Sequence, residues 1–248
     1  MSGFFRRDTD RDWEELGRTA PYWGVHTHPD YEGKQSLDPE KSAEFFASGE
    51  EFVAWVRGVL EQKLGAAKEI GRALDFGCGV GRLLVPMAKR AGHVVGVDIS
   101  DDMRRLCAKH LAEAGCGNAT LVADMVVMQS PFDWVNSYIV LQHIEPRRGY
   151  DIINKLSELT ARDGALTLHI TTARDAHLKP PTWRTNPRAA LAHALHHARA
   201  KPGLIMMYDY DLARVLDQLT RDGFGPMWLQ PLDHGGHRGM LIHACKNG

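Results

Sequence analysis

The sequence of 248 residues has no long hydrophobic run: no stretch approaches the roughly 18 apolar residues that a membrane-spanning helix needs. Its first twelve residues are charged and contain no sustained apolar segment, which is not the pattern of a secretory signal. We therefore expect a cytoplasmic protein with no membrane partner.

An excess of charge of one sign is also missing, because 30 Lys and Arg residues balance 31 Asp and Glu residues. A net charge of −1 gives no strong field to attract nucleic acid, so a nucleic-acid partner is disfavoured. The four cysteines, Cys78, Cys107, Cys116 and Cys245, form no C-x-x-C pair. The thirteen histidines do not supply three ligands at a recognised metal spacing. We expect reduced thiols and no metal site.

The hydrophobic fraction of 44% is enough to bury a sizeable core, and its pattern changes from about residue 70 onward. Strand-like runs then alternate with helix-like runs, which predicts an α/β domain with a parallel sheet and helices on both faces. The predicted strands are 72–76, 93–98, 119–123, 134–141 and 165–171, and the helices between them are 82–90, 101–114 and 149–160. A helix at 210–221 follows, and runs at 226–231 and 239–245 flank Gly235-Gly236 as an expected antiparallel hairpin at the sheet edge.

Two segments depart from this alternation. Residues 1–37 are polar and aromatic with scattered Pro and Gly, which predicts an irregular arm with one short helix, and 39–47 and 50–64 are predicted helices. Residues 172–207 contain several prolines and a stretch rich in His and Ala. We expect residues 1–65 to cover the functional site and residues 66–248 to form the main domain. Within that domain, 172–207 is expected to be a lid.

The central motif is a glycine-rich loop, Asp75-Phe76-Gly77-Cys78-Gly79-Val80-Gly81, between the first strand and the next helix. Glycines allow a sharp turn and a close approach of a ligand to the backbone. About twenty residues after the first glycine, Asp98 ends the second strand, where a carboxylate can accept two hydrogen bonds from a ribose. The alternatives are a plain strand–helix turn and a helix cap, but loop, strand and acidic residue together favour a nucleoside ligand.

The spacing of the glycines separates two kinds of cofactor. Dinucleotide-binding loops have the pattern G-x-G-x-x-G, whereas this loop is G-x-G-x-G and Arg82 occupies the position of the missing glycine. A dehydrogenase is therefore disfavoured. Asp75, directly before the loop, is placed to reach a cationic ligand group. The loop resembles the D-x-G-C-G-x-G signature of class I S-adenosylmethionine (SAM) methyltransferases.

Three further motifs carry the resemblance, which covers roughly residues 70–171. Asp98 and Ile99 with Met103 resemble the motif that holds ribose and flanks adenine, Asp124-Met125 resembles the adenine-edge motif, and 132–144 resembles the strand-four motif. The family implies a Rossmann-like sheet of seven strands, mostly parallel with an antiparallel last strand, and SAM as cofactor. The implied cofactor-binding residues are Asp75, Gly77, Cys78, Gly79, Gly81, Asp98, Ile99, Met103, Asp124, Met125 and Tyr138. Asp124 as a turn residue and Tyr138 as a core residue remain open alternatives.

The function that the resemblance implies is methyl transfer from SAM to an oxygen or nitrogen of a small metabolite. The sulfonium is already activated by its charge, so the protein mainly aligns the reactants and removes a proton where needed. His143, after the fourth strand, is the candidate general base, with packing beneath the substrate as the alternative. Other functions left open are methylation of a protein or RNA, and SAM binding without catalysis.

Overall fold

The computed structural model describes residues 8–66, 69–126, 128, 131–179 and 186–248. In chain order the strands are β1 (Arg72–Phe76), β2 (His93–Val97), β3 (Ala119–Val122), β4 (Phe132–Ser137), β5 (Thr160–Arg174), β6 (Phe224–His234) and β7 (His237–Lys246). They form a seven-stranded sheet in the order β3-β2-β1-β4-β5-β7-β6. Strands β1 to β5 are parallel, and β7 is antiparallel to both β5 and β6. The predicted fold class is confirmed.

Helices cover both faces of this sheet. They are α1 (Thr9–Thr19), α2 (Pro21–Val25), α3 (Pro39–Leu64), α4 (Leu84–Ala88), α5 (Asp101–Glu113), α6 (Pro146–Leu159), α7 (Pro187–Arg199) and α8 (Leu212–Arg221). One buried cluster joins α6 and α8 to the sheet through Leu74 of β1, and the other joins α3, α4 and α5 through the adjacent Ala73. Successive strand residues point to opposite faces, so the two clusters are the two halves of a three-layer core. No helix among the described residues has the length and apolarity to cross a bilayer.

Helix α3 is continuous where the sequence predicted two helices. Its first turn is capped by Asp38, whose carboxylate accepts the Lys41 N–H, and it ends at Gly65 in the left-handed conformation with φ of 66°. Gly49, at the predicted break, is buried within the helix. A Cβ at Gly49 would collide with the carbonyl oxygen of Arg82, so this glycine allows a close approach to the loop after β1 and does not interrupt α3.

The N-terminal arm is more helical than the sequence predicted, since α1 and α2 replace an irregular segment with one short helix. Tertiary contacts hold it: Gly17 packs directly against Ser100 at the start of α5, and the Tyr22 hydroxyl lies 3.1 Å from the His110 ring nitrogen Nε2. Helix α1 has few apolar residues and α2 is only five residues long, so neither has a periodicity that predicts a helix from the sequence. Packing on the surface beneath them stabilises both.

Several predicted boundaries also move. Strand β4 ends at Ser137 and not at 141, because Ile139 adopts φ of 58° and turns the chain away from the sheet. Strand β5 is longer than predicted, because its end pairs with β7 as far as Arg174. The expected hairpin is confirmed: β6 and β7 pair antiparallel around Gly235-Gly236, with β6 at the edge. Within the predicted lid, α7 is described, whereas residues 180–185 lie outside the described residues.

Candidate active site

A cavity of about 540 Å³ opens at the carboxyl ends of β1, β2, β3 and β4. It lies where the strand order changes direction between β1 and β4, the position at which open α/β sheets bind ligands. Its volume is within the range of pockets that hold ligands of drug size, about 300–1,000 Å³. The predicted site residues that line it are Asp75, Gly77, Cys78, Gly79, Asp98, Ile99, Met103, Asp124, Met125, Tyr138 and His143.

Gly81 is the predicted cofactor residue that the structure does not bring to this cavity. Its φ is 93°, and a Cβ at this position would lie 2.8 Å from the sulfur of Cys107 in α5. The third glycine of the motif therefore serves the packing of the loop on a neighbouring helix. A ligand role for Gly81 has no support from this geometry.

The other two loop glycines form the cavity wall. Gly77 has φ of 77° and Gly79 has φ of 52°, and added Cβ atoms would collide with Val140 and Val25 respectively. The N–H groups of Gly77 and Cys78 donate to the Val97 carbonyl at 2.7 and 3.0 Å. The loop is thus fixed to the end of β2, between the segment after β4 and the N-terminal arm.

Asp98 is fixed by the same loop. Its Oδ2 accepts the Gly79 N–H at 2.8 Å, and its Oδ1 accepts the Ser100 N–H at 2.9 Å. Burial raises the pKa of Asp98, and these two backbone bonds oppose that shift. The two backbone hydrogen bonds fix the orientation of the carboxylate, which lines the cavity. Each of its oxygens can still accept a further hydrogen bond from a ligand.

Two oppositely charged groups are buried at the inner end of the cavity. Asp75 is 2% exposed and accepts a hydrogen bond of 2.8 Å from the Asn136 amide, and burial raises its pKa to about 6. Arg82, 8% exposed, also lines the cavity, and burial lowers the pKa of its guanidinium. Sequence reasoning used Arg82 only to exclude a dinucleotide, because nothing in the motif shows that its side chain is buried.

The wall after β4 has an unusual backbone. The Tyr138 ring packs on Phe52 of α3 with centroids 4.0 Å apart, and its hydroxyl carries a pKa that burial raises. The next residue, Ile139, is β-branched yet has φ of 58°. Such a conformation costs on the order of 1–3 kcal/mol and is retained mainly at functional sites. It brings Ile139 and Val140 into the cavity lining.

His143 is held in one tautomer by a chain of hydrogen bonds. The Thr171 hydroxyl donates to Oε1 of Gln142 at 3.0 Å, which leaves the Gln142 amide nitrogen to donate to His143 Nε2 at 3.2 Å. His143 Nδ1–H then donates to the Met206 carbonyl at 2.8 Å. Burial lowers the pKa of His143 to about 4, so the ring is neutral and both nitrogens have partners. The role of His143 as a general base stays a prediction, and the two hydrogen bonds of its ring favour instead a role in shaping the site.

The N-terminal arm and α6 supply lining residues that sequence reasoning missed. They are Thr9, Asp10, Trp13, Gly24 and Val25 from the arm, and Arg148, Asp151, Ile152 and Lys155 from α6. The Arg148 guanidinium lies 2.6 Å from the Asp10 carboxylate and joins the two elements at the rim of the cavity. These residues form no sequence motif, because they come from two distant segments that only the fold brings to the same cavity.

The described residues of the predicted lid include two that contact the arm. The N–H groups of Gly203 and Leu204 donate to Asp12 at 2.9 and 3.3 Å, and Met206 reaches the site only through His143. Within the described part of 172–207, no residue lines the cavity. In the same described regions, no group of three or more His, Cys, Asp or Glu side chains is placed to hold a metal.

Residues 73–164 match a family model described as a methyltransferase domain. The chain carries a class I SAM-dependent methyltransferase domain. This domain includes the strands β1 to β4 that surround the cavity, together with Asp75, the glycine loop, Asp98 and His143.

Sequence relatives match only part of this chain. The 23S rRNA (uracil(1939)-C(5))-methyltransferase RlmD of Methylococcus capsulatus is 33% identical over 78 residues, which is 31% of this chain and 18% of that protein. The ubiquinone biosynthesis O-methyltransferase of Maricaulis maris is 35% identical over 77 residues, 29% of this chain and 30% of that protein. The chain therefore spans less than a third of the length of these curated relatives.

A solved structure matches the methyltransferase domain and the flanking elements together. The magnesium protoporphyrin IX methyltransferase of Synechocystis PCC 6803, determined with bound SAM, superposes with a TM-score of 0.62. The match covers 98% of this chain and 99% of that one at 17% sequence identity, so it establishes a shared fold.

Proposed function

We propose that the chain is a methyltransferase that transfers the methyl group of SAM to an oxygen or nitrogen of a small metabolite. The observation that carries the proposal is one cavity whose walls include the glycine loop, Asp98, the N-terminal arm and the segment after β4. We propose that the side of this cavity lined by the loop and Asp98 takes the cofactor, and that the side lined by the arm and Tyr138 takes the acceptor.

The residues present fit SAM. The buried Asp75 carboxylate suits the cofactor's ammonium group, and the oxygen Oδ1 of the adjacent Asn136 is buried with no described partner. Asp98 suits the ribose diol, and Ile99, 38% exposed, offers an apolar face to the adenine beside Met125. When bound, SAM supplies a methyl group on a positively charged sulfur, a leaving group that needs no further activation.

The protein's own part in the reaction is alignment and exclusion of water. Holding two reactants in line is worth effective concentrations of about 10⁵–10⁸ M. Val25 of the arm packs on Gly79 of the loop and Trp13 packs on His143, and the Asp10–Arg148 ion pair joins the arm to α6 at the rim of the cavity. We propose that His143, neutral and bonded through both ring nitrogens, shapes the acceptor wall beneath Trp13, whose ring lies 5.0 Å away. An acceptor hydroxyl then loses its proton to water or to another group.

Small acceptors are favoured over RNA and protein for two reasons. Residues of the arm line the cavity and limit its opening, and the net charge of −1 gives no overall positive field to attract a phosphate backbone. The ubiquinone and protoporphyrin methyltransferases among the similar proteins are named for small molecules, whereas RlmD is named for an rRNA base. A cytoplasmic location accompanies this proposal, and we propose that 172–207 covers the site only through the arm, which its Gly203 and Leu204 contact.

The test is a turnover assay with SAM and a panel of phenols, hydroxy acids and amines, alongside total RNA and a protein extract. We expect release of S-adenosylhomocysteine (SAH) and a small product heavier by one methylene group. Calorimetry of SAH should give a dissociation constant near the micromolar level, about −8 kcal/mol. Tighter binding of NAD than of SAH, or methylation of RNA or protein alone, would contradict the proposal.

A further inference from the structure

His169 of β5 is a buried imidazole whose two ring nitrogens both have no hydrogen-bond partner among the described residues. Strand β7 fixes the position of the ring, since a Cβ at Gly239 would lie 2.7 Å from His169 Nε2. Leaving a buried polar group unsatisfied is costly, and a native protein keeps such a group chiefly where it has a function. The two nitrogens are therefore candidates for binding a ligand.

A second histidine lies against the first. His234 ends β6, and its ring is nearly perpendicular to that of His169, with centroids 5.1 Å apart. The Nε2 atom of His234 is also buried and has no partner among the described residues. Burial lowers the pKa of both rings, that of His169 to about 3, so both are neutral at pH 7. The pair offers N–H donors and lone pairs but no charge.

Tyr138 connects this histidine pair to the cavity. The centroid of its ring lies 5.6 Å from that of His169 and 6.3 Å from that of His234, and Tyr138 itself lines the cavity. The sheet register explains the arrangement: Ser137, the last residue of β4, pairs with Leu168, so the next residues of the two strands are neighbours at the carboxyl end of the sheet. This is the side of the cavity that we assign to the acceptor.

The chemistry of the pair selects one class of ligand group. A neutral imidazole carries one donor and one lone pair, so a group that both donates and accepts matches it. A hydroxyl does both, whereas an ammonium only donates and a carboxylate only accepts, and either would bring a charge into a buried site without a counter-charge. A metal ion is a poorer match, since no group of three or more His, Cys, Asp or Glu side chains in the described regions is placed to hold one.

We propose that His169 and His234 bind a hydroxyl group of the methyl acceptor and make the enzyme specific for an alcohol or a phenol. This inference rests on the proposed function, because it assumes an acceptor beside bound SAM. Neither histidine lines the cavity, so the Tyr138 ring rotates about its Cα–Cβ bond to admit the hydroxyl. The bound hydroxyl is an anchor that positions the acceptor, and the atom that receives the methyl group lies elsewhere on the same molecule.

The experiment probes the protein, saturated with SAH, with phenol and toluene, two rings of similar size of which only phenol carries a hydroxyl. With ¹⁵N-labelled histidine, we expect millimolar phenol to shift the ring-nitrogen NMR signals of His169 and His234, and toluene to leave them unchanged. In His169→Leu the dissociation constant of phenol, from ligand-detected NMR, should rise about 3- to 10-fold, the loss of a neutral hydrogen bond. That of toluene should change by less than about 2-fold, because it has no hydroxyl to lose.

His243→Leu is the matched control. His243 of β7 is another buried histidine on the same face of the sheet, directly opposite Thr167 of β5. Its ring packs on Trp55, and its Nδ1 lies 3.3 Å from the Thr167 hydroxyl. This substitution removes a buried imidazole without touching the proposed site, so the preference for phenol over toluene should stay within about 2-fold of that of the unaltered protein.

The outcomes separate this inference from the proposed function. Failure of the unaltered protein to bind SAH would contradict the proposed function. With SAH bound, equal binding of phenol and toluene, or no shift of either histidine signal, would overturn the hydroxyl assignment alone. If the pair binds only a structural water, His169→Leu will alter stability and leave the preference for phenol unchanged, which also overturns it. If His169→Leu does not fold by circular dichroism, His234→Leu, at a half-buried position, gives the same test.

Discussion

Replacing His143 by glutamine tests whether His143 accepts a proton in the reaction or only shapes the cavity. Glutamine can still donate to the Met206 carbonyl, but it cannot take up a proton at neutral pH. We expect turnover of His143→Gln to remain within about 10-fold of the unaltered protein. Removal of a general base would instead lower turnover by about 10²–10⁴-fold with little change in SAH affinity.

His143→Ala should differ from His143→Gln in stability. The imidazole is 6% exposed, and its removal leaves the Met206 carbonyl and the Gln142 amide without this partner. A buried polar group left unsatisfied costs about 1–3 kcal/mol, so the alanine variant should lose about 2–6 kcal/mol of unfolding free energy. The glutamine variant should lose less, because its amide replaces one of the two bonds.

The pH dependence of stability gives an independent check. Burial holds the pKa of His143 at about 4 in the fold, against about 6.5 in an unfolded chain. The unfolded state therefore binds more protons between these values, so stability falls as the pH decreases from 6.5 to 4. The full loss is about 3 kcal/mol and about 2 kcal/mol of it is reached by pH 5. His143→Gln should be less sensitive to acid by that amount.

The stability and the turnover of these variants can be measured on the same samples. Urea unfolding at pH 7.5 and pH 5 gives the free energy of unfolding, and an assay per folded molecule gives the turnover. A pH–rate limb near 6–7 that disappears in a folded His143→Gln, with turnover lowered 100-fold or more, would refute our reasoning. That result would establish His143 as the general base.

Three further predictions concern other parts of the site and core. Asp98→Asn should raise the SAH dissociation constant about 10- to 100-fold in calorimetry with the fold intact, and unchanged affinity would place the ribose elsewhere. His169 is fully buried, neither ring nitrogen has a described partner, and burial lowers its pKa to about 3. His169→Leu should be at least as stable at pH 7.5 and lose about 2 kcal/mol less at pH 5, and a marked loss at pH 7.5 would reveal a missing partner. Asp10→Asn breaks an exposed ion pair with Arg148, so stability should change by less than about 1 kcal/mol while hydrogen exchange in α1 becomes faster. Unaltered exchange would show that this pair does not hold the arm.

The sequence by itself determined the sheet and the cofactor half of the site. Strand–helix alternation predicts a parallel sheet, and the carboxyl ends of parallel strands meet at one edge. The loop residues 75–79, Asp98 and Asp124 lie at or within three residues of the ends of strands, so their spacing was sufficient to bring them to one cavity. These features are local: glycine conformation and strand period act over a few residues and can be recognised without knowing the partner.

Only the tertiary structure decided which side chains complete the site and in what state. Gly81 matches the sequence motif, but it packs against Cys107 and does not line the cavity. The next residue, Arg82, is a buried cation whose carbonyl packs against Gly49 of α3. Burial keeps His143 neutral, and its tautomer depends on the carbonyl of Met206, 63 residues further along the chain. Burial and pKa are properties of an environment assembled from distant segments, and no window of sequence contains that environment.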